Sequence, residues 1–523
     1  VNRTTVHLDE SVNGLVPHEP VFERVGDDRL VWQYLEHKCP RPLGPLAQSI
    51  YPTLFRSFTA AFRDMGFQRG AALRFLFHRG YVYSHFILPE GSPVTGNPSS
   101  PTPTERWNAE WKPYIMSHLV RLEDISLTGI PDDELGRLLQ EIIELCGYAW
   151  DVHHRLTYPE VEAFYNWCRI NIAGVTNEEL HELFLGQDFL SLRQARGFWK
   201  LAHIASSLTE GCVEEDSDWA TQPQFLAELS QFVSKHGLYL TTYCDIGRPS
   251  WEEDPSAIVA IVKRYMAANL PDPSLRIEQQ ILKRQERCQV LSAALPIDKR
   301  PEFDRLYLSA FSSLHLREDH VEWIEQRPLA LLRRVCKAFG IRLHALGLIE
   351  DPLDCAYFTL TELYQFACGI SIAQALRELP ARKSSYESDL KFKPPRFIRE
   401  APRSSPDDVS KLLKGMGISR GTVSGRVCSV RSVGEAFEKL SWGDILVCPE
   451  IGPDWTPLFS IAGGLVIESF AGGMLSHAAL VAREYRIPAI LGIKSACSLL
   501  DGRYVDLDGT TGLVEIGRRF ESM

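Results

Sequence analysis

A histidine that follows a glycine pair and opens a helix has one specific chemistry open to it: it can carry a phosphoryl group. Residues 472–485 have that pattern: Gly472-Gly473-Met474-Leu475-Ser476-His477, then Ala478-Ala479-Leu480-Val481-Ala482-Arg483-Glu484-Tyr485. The two glycines let the backbone turn tightly and approach an anion. Ala478 to Glu484 are good helix formers, so a helix is expected to start at Ser476 or His477. The positive end of its dipole disfavours an imidazolium and leaves a neutral, nucleophilic ring. Free N–H groups of the first turn then suit a phosphoryl group on that ring. The chemistry is covalent catalysis through phosphohistidine, with His477 as nucleophile and Gly472, Gly473 and Ser476 beside the phosphate. The plain alternative is a histidine with ordinary hydrogen bonds. Arg483 lies six residues on, about 240° round the helix, so it faces away and is expected to be structural.

The elements that must position this segment read as a compact α/β unit. Thr422 to Val430 alternates, Ile445–Cys448 and Leu465–Ile467 are short apolar runs, and Ala489–Gly492 follows the histidine helix. Helical pieces are expected at Gly434–Leu440 and Trp455–Ile461. Strands Tyr504–Leu507 and Leu513–Ile516 flank a hairpin turn at Asp508–Gly512. Residues 380–412 are rich in proline, serine and charge and lack apolar periodicity, which marks a linker. About 15 extended residues would reach on the order of 50 Å, enough to move a small domain between two sites.

Upstream the periodicity is mainly helical: Leu54, Phe55, Phe58, Phe62 and Met65; Leu135 to Cys146; Val161 to Cys168; Leu192 to Leu208; and much of 275–350. Residues 91–105 carry four prolines and read as an exposed loop or lid. The Asp245–Pro255 stretch reads as a loop before a helix at Ser256–Ala268, with Trp251 packing and Asp254 capping. Gly340 and Gly347 are expected helix stops. Thr361 is expected to cap a short helix beginning at Glu362. The acidic Glu214-Glu215-Asp216 reads as a solvated turn. The fold class expected is multidomain: a large mainly α-helical domain at 1–390, a linker at 391–412, and a small α/β swivelling domain at 413–518.

Composition narrows the function. The 523 residues are 45% hydrophobic and 24% charged, as in a soluble globular protein of two or three domains. A net charge of −11 argues against nucleic acid as the main partner. No run of about 18 apolar residues occurs, so no membrane span is expected, and Val1 to Thr5 lacks a signal-peptide core. Twelve scattered cysteines without a Cys-x-x-Cys pair suit reduced thiols, a cytoplasmic location and no metal site.

The run from Gly472 to Pro488 resembles the phosphohistidine segment of phosphoenolpyruvate-utilising enzymes, a family that includes pyruvate phosphate dikinase, phosphoenolpyruvate synthase and rifampin phosphotransferase. Its Gly-Gly-Met-Leu-Ser-His form is similar to the rifampin phosphotransferase type. Other segments carry the same resemblance: His37-Lys38-Cys39-Pro40-Arg41-Pro42-Leu43, Pro249-Ser250-Trp251-Glu252-Glu253-Asp254-Pro255, Arg317-Glu318 with Leu332-Arg333-Arg334, Tyr357 to Leu363, and Trp455-Thr456-Pro457-Leu458-Phe459. Ser250 stands where the family often has arginine, and Glu450-Ile451-Gly452 departs from its pattern. The resemblance implies that His477 is the phosphoryl carrier.

Such a carrier needs a donor site, which in this family is an ATP-grasp domain or a phosphoenolpyruvate-binding barrel. No Gly-x-x-x-x-Gly-Lys-Ser/Thr loop or barrel pattern occurs, and the about 36 residues before His37 are too few for a nucleotide-binding domain. The expectation is a split phosphotransferase, in which a separate ATP-grasp protein holds ATP and Mg2+ and loads His477. This chain would bind the small organic hydroxyl acceptor. His85, His154 and His315 are candidates by residue type for the base that takes the hydroxyl proton. Two alternatives are a phosphorylation-driven dehydratase or ligase that eliminates phosphate, and a non-catalytic regulatory subunit.

Overall fold

The computed structural model describes residues 30–35, 39–64, 72–87, 101–156, 159–209, 219–241, 245–399, 412–470 and 473–519. His37, Gly472, the 91–100 stretch, the acidic 214–216 patch and the 400–411 part of the linker lie outside them. The chain divides into two compact units, Val1–Thr157, Leu238–Glu253 and His320–Ser404 in the first, and Tyr158–Gly237, Asp254–Asp319 and Ser405–Met523 in the second. The helical segment 1–390 therefore contributes to both. The reason is visible in the cores of the second unit. Phe164, Phe303 and Leu314 pack with Leu480 in one cluster, while Phe189, Leu192 and Ala195 join the core beside the sheet in another.

The first unit holds a four-stranded antiparallel sheet of β1 (Trp32–Tyr34), β2 (Ala72–His78), β3 (Tyr81–Ile87) and β4 (Phe397–Ile398), in the order β2-β3-β1-β4. The β2–β3 hairpin turns at Arg79 and Gly80, both at positive φ (52° and 74°), which suits the twist of a tight hairpin. The helical reading of this region missed that pair. β4 lies inside the expected linker, and the helix Ala373–Asp389 also runs into the 380–412 stretch.

The long helix Asp132–Arg155 carries acidic Asp132, Asp133 and Glu134 in its first turn and His153, His154 and Arg155 in its last, complementing the helix dipole. Its buried stripe includes Leu135, Leu139, Ile142, Cys146 and Trp150.

Four expectations change here. Pro103 opens a helix rather than continuing a loop, because Thr102 and Glu105 form a capping box before it. The helix at Leu360–Ala367 is capped by Thr359, not Thr361, again through a capping box with Glu362. The Trp455–Ile461 piece is a 3-10 turn, Pro453–Ser460. Gly340 is no helix stop: it lies within Arg327–Ala345, where its missing side chain admits the Pro352 carbonyl. Gly347, at φ 70°, does follow the helix end.

The second unit is built on an eight-stranded sheet, with β5 (Leu412–Lys414), β6 (Met416–Ser419), β7 (Thr422–Ser429), β8 (Ile445–Cys448), β9 (Gly464–Ile467), β10 (Ala489–Leu491), β11 (Arg503–Asp508) and β12 (Leu513–Arg519). The order is β5-β12-β11-β7-β8-β9-β10-β6, with β7 to β10 parallel and the rest antiparallel. β8 shows why the central runs are uniformly apolar. Leu446 and Cys448 face one core cluster, and Ile445 and Val447 face the other. The helix His477–Tyr485 lies in the first of these clusters through Ala478, Ala479, Val481, Ala482 and Tyr485.

Gly340→Ala provides a direct test of the packing. A Cβ there would sit 2.0 Å from the Pro352 carbonyl oxygen. Overpacking of this kind costs about 1–3 kcal/mol, read as a lower denaturation midpoint. An unchanged midpoint would contradict the close approach.

Candidate functional site

The site begins with the turn before the helix. Gly473 has φ 50°, a conformation that costs glycine little and other residues more. Gly473–Leu475 makes a 3-10 turn, and Ser476 follows as the N-cap, its hydroxyl accepting from the Ala479 N–H at 3.2 Å. His477 is thus the first residue of the helix, as the propensities predict. Arg486, at φ 54°, ends it.

Two side chains far apart in sequence hold the imidazole. The Thr456 hydroxyl lies 3.0 Å from His477 Nε2, and the Glu318 carboxylate hydrogen-bonds His477 Nδ1. Thr456 belongs to the 3-10 turn Pro453–Ser460, whose Trp455, Leu458 and Phe459 are buried in the core cluster next to the sheet. Those three anchors fix the turn, and Thr456 is directed at the ring. Glu318 stands one turn from the end of the helix Arg300–Val321, with its side chain only 4% exposed.

The pairing selects a tautomer. An ionised carboxylate only accepts, so Nδ1 carries the proton and donates it to Glu318. Nε2 then presents its lone pair, to which the Thr456 hydroxyl donates. Nε2 is then the ring nitrogen whose lone pair could act on an electrophile, while Nδ1 keeps its proton. Ser476 is placed as a helix cap next to the ring.

Arg483 does not reach His477. Its guanidinium donates to the carbonyls of Ile418 (2.8 Å) and Met474 (2.7 Å), tying β6 to the turn that precedes the histidine. Its neighbour Glu484 is buried and accepts from the Gly186 N–H with both oxygens, at 2.8 and 3.0 Å. Burial pushes its pKa up to about 7, with the backbone N–H groups opposing the shift. A cavity of about 580 Å³ lies near this end of the helix, lined by Arg420, Arg483 and Arg486 among others; His477 is not among its lining residues.

The three histidines proposed as base candidates are dispersed. His85 lies in β3, with Nδ1 2.9 Å from the Val31 carbonyl. His154 is buried against the rings of Phe55, Phe58 and Trp150. His315 packs 5.8 Å from the Phe189 ring, one helical turn before Glu318. The described polar partners of His477 are Glu318 and Thr456, neither singled out by residue type beforehand. Thr456 lay within a recognised motif. Glu318, 159 residues from His477, had no local signal connecting it to the ring.

Two segments of the chain match known protein families. Residues 440–512 match the mobile domain of PEP-utilising enzymes, and residues 165–318 match the fourth domain of rifampicin phosphotransferase. His477 falls in the first match, and Glu318 is the last residue of the second. The two matched segments are thus similar to parts of PEP-utilising enzymes. It is 25% identical to chondramide synthase cmdD of Chondromyces crocatus over 95% of its own length and 14% of that protein. It is 23% identical to the uncharacterized phosphotransferase YvkC of Bacillus subtilis, over 93% of this chain and 62% of that one. Rifampicin phosphotransferase of Streptomyces sviceus is 26% identical over 82% of this chain and 52% of its own. The chain thus spans less than two thirds of each of these relatives. Among solved structures, the NMR structure of Enzyme I shares 18% identity, covering 42% of this chain and 66% of its own, with a TM-score of 0.15. Among the described residues, no helix is long and apolar enough to cross a membrane.

Glu484 yields a pH test. Its folded pKa of about 7 stands above the ordinary 4.5, so its contribution to stability is full below about pH 4.5 and is lost as pH rises through 7. The loss is on the order of 3 kcal/mol. Glu484→Gln removes this dependence, so the melting temperature of the native chain should fall relative to the variant across that window. Parallel pH curves for the two proteins would contradict the assignment.

Proposed function

We propose that this chain is the acceptor-binding and phosphohistidine-carrier component of an ATP-dependent phosphotransferase. The observation that carries the reading is the His477 ring at a helix start, with Nδ1 on Glu318 and Nε2 free to act once Thr456 swings aside. The match of residues 440–512 to the mobile domain of PEP-utilising enzymes and the relatives named phosphotransferases support it.

In the loading step, the Nε2 lone pair attacks a phosphoryl phosphorus of ATP, and the bond from phosphorus to the leaving oxygen breaks. By resemblance the group retained is the β-phosphoryl: attack at the β-phosphorus displaces AMP and leaves a diphosphoryl group on the ring, and water then cleaves the β–γ anhydride to release phosphate. We assign ATP and Mg2+ to an ATP-grasp module outside these residues. The module bearing His477 then presents the phosphoryl group to a small organic acceptor. Phe397 and Ile398 pair with β1 in the first unit, so a tether for that movement begins after Ile398.

In the second step an acceptor hydroxyl oxygen bonds phosphorus as the Nε2–P bond breaks, and the hydroxyl proton passes to a base. Glu318 matters here. With Nδ1–H held by the carboxylate, the ring departs as neutral imidazole rather than as a far more basic imidazolate anion. The carboxylate also balances the positive charge of the phosphorylated, Nδ1-protonated ring, as the aspartate does in a catalytic triad.

A second reading has one observation in its favour. The relative aligned with 95% of this chain is named a chondramide synthase, which favours a biosynthetic setting in which phosphate is eliminated in a dehydration or condensation. Free phosphate released in step with product supports that reading; a stable phosphoester supports simple transfer.

The test is to incubate the chain with labelled ATP and an ATP-grasp protein and look for an alkali-stable, acid-labile adduct. His477→Ala should abolish the label. Glu318→Gln should slow transfer to acceptor by about 10²-fold, a typical magnitude for loss of proton-handling assistance. Label that persists in His477→Ala, or full activity of that variant, would overturn the carrier assignment.

A further inference from the structure

The geometry points to a divalent transition-metal site in the first unit, formed by His153, His320 and Glu325. This inference does not rest on the phosphotransfer reading. The three residues come from separate places: His153 from the last turn of Asp132–Arg155, His320 from the end of Arg300–Val321, and Glu325 from the wide π-turn Glu322–Gln326. Their candidate ligand atoms all lie within 4.8 Å of one another.

The π-turn makes the cluster. In a continuous α-helix, residues five apart are rotated by about 140° and face different ways. A π-turn closes between residues five apart, bringing His320 and Glu325 to one side, and such turns recur at functional sites. Its shape is held from outside. Gln326 is buried and accepts from the Leu240 N–H at 3.2 Å, and Arg327 pairs with Glu123.

The spacing fits a metal. His153 Nδ1 is 3.1 Å from His320 Nε2 and 3.3 Å from a Glu325 carboxylate oxygen, and His320 Nε2 is 3.9 Å from that oxygen. Ligands about 2.0–2.1 Å from a tetrahedral zinc ion stand roughly 3.3 Å apart, so the three atoms form nearly one face of such a tetrahedron. Two imidazoles and one carboxylate are a donor set that suits Zn2+, Co2+ or Fe2+ over Mg2+ or Ca2+. His320 and Glu325 side chains are 8% and 4% exposed, whereas His153 is 32% exposed. The cluster is therefore closed on the protein side and open beside His153. That leaves a fourth position for water or for an anionic oxygen of a ligand. The buried Trp150 ring, 5.2 Å from His153, walls one side with apolar surface. The sequence offered no sign of this, because 167 residues separate the two histidines.

The test uses the full chain, stripped with a chelator and titrated with Zn2+ against a chromophoric competitor. A parallel Co2+ titration reports coordination by its visible absorption. The expected result is one equivalent of metal per chain, with the intense bands of four-coordinate Co2+. Loss of an outer-sphere partner alone typically costs 10–100-fold in affinity, so His153→Asn and Glu325→Gln should each weaken binding by about 100-fold or more. His153 is partly exposed, so its variant should keep the native circular dichroism and remain informative if Glu325→Gln does not fold. Stoichiometry well below one, or native affinity in folded His153→Asn, would show a hydrogen-bonded cluster only and overturn the site.

Discussion

The imidazole of His477 is held at both nitrogens, and the rest of the second unit is arranged around that constraint. A ring with one proton can satisfy an acceptor at one nitrogen and a donor at the other only in one tautomer and one orientation. Glu318 supplies the acceptor and Thr456 the donor, from segments 159 and 21 residues away. The hydrogen bond to an ionised carboxylate is the stronger of the two. It decides which nitrogen keeps its lone pair. A carrier histidine whose free nitrogen were undefined would present its phosphoryl group in two places.

The fold secures each partner by burial. The Thr456 turn is pinned by Trp455, Leu458 and Phe459, and the histidine helix by its alanine-rich inner face. Small residues at Ala478, Ala479 and Ala482 let that helix lie close to β6 and to the Thr456 turn. Leu480 and Glu484 look elsewhere, into the aromatic cluster around Phe164 and onto the Gly186 backbone. The matches to two family models, one covering His477 and the other Glu318, meet at this ring. What a phosphohistidine carrier requires is placed by packing on both sides of the helix rather than by the motif alone.

Much of the second unit was legible in the sequence for a physical reason. Strands buried on both faces must be apolar throughout, so Ile445–Cys448 and Leu465–Ile467 declare themselves. The helix start at His477 follows from local capping and propensity. Less visible were features set by tertiary contacts. The β2–β3 hairpin hides among helices because its Arg79-Gly80 turn lacks the usual Asn-Gly signal. Gly340 looked like a stop until the Pro352 carbonyl filled the space beside it. Thr359 and Thr361 are both able caps, and only the reciprocal Glu362 contact separates them. Glu318 is the sharpest case. It lay in the Arg317-Glu318 segment that carries the resemblance, yet nothing local tied it to the ring 159 residues away; its partner defines it. The same holds for His153, His320 and Glu325, which a π-turn assembles.

Nε2 of His477 is the nucleophile we propose, because Nδ1 is committed to Glu318. The most direct measurement is the regiochemistry of the phosphohistidine, read by heteronuclear NMR of the loaded chain labelled at the histidine ring nitrogens. A phosphorus coupled to Nε2, with the proton on Nδ1, is the predicted result. Phosphorylation at Nδ1 would contradict the account.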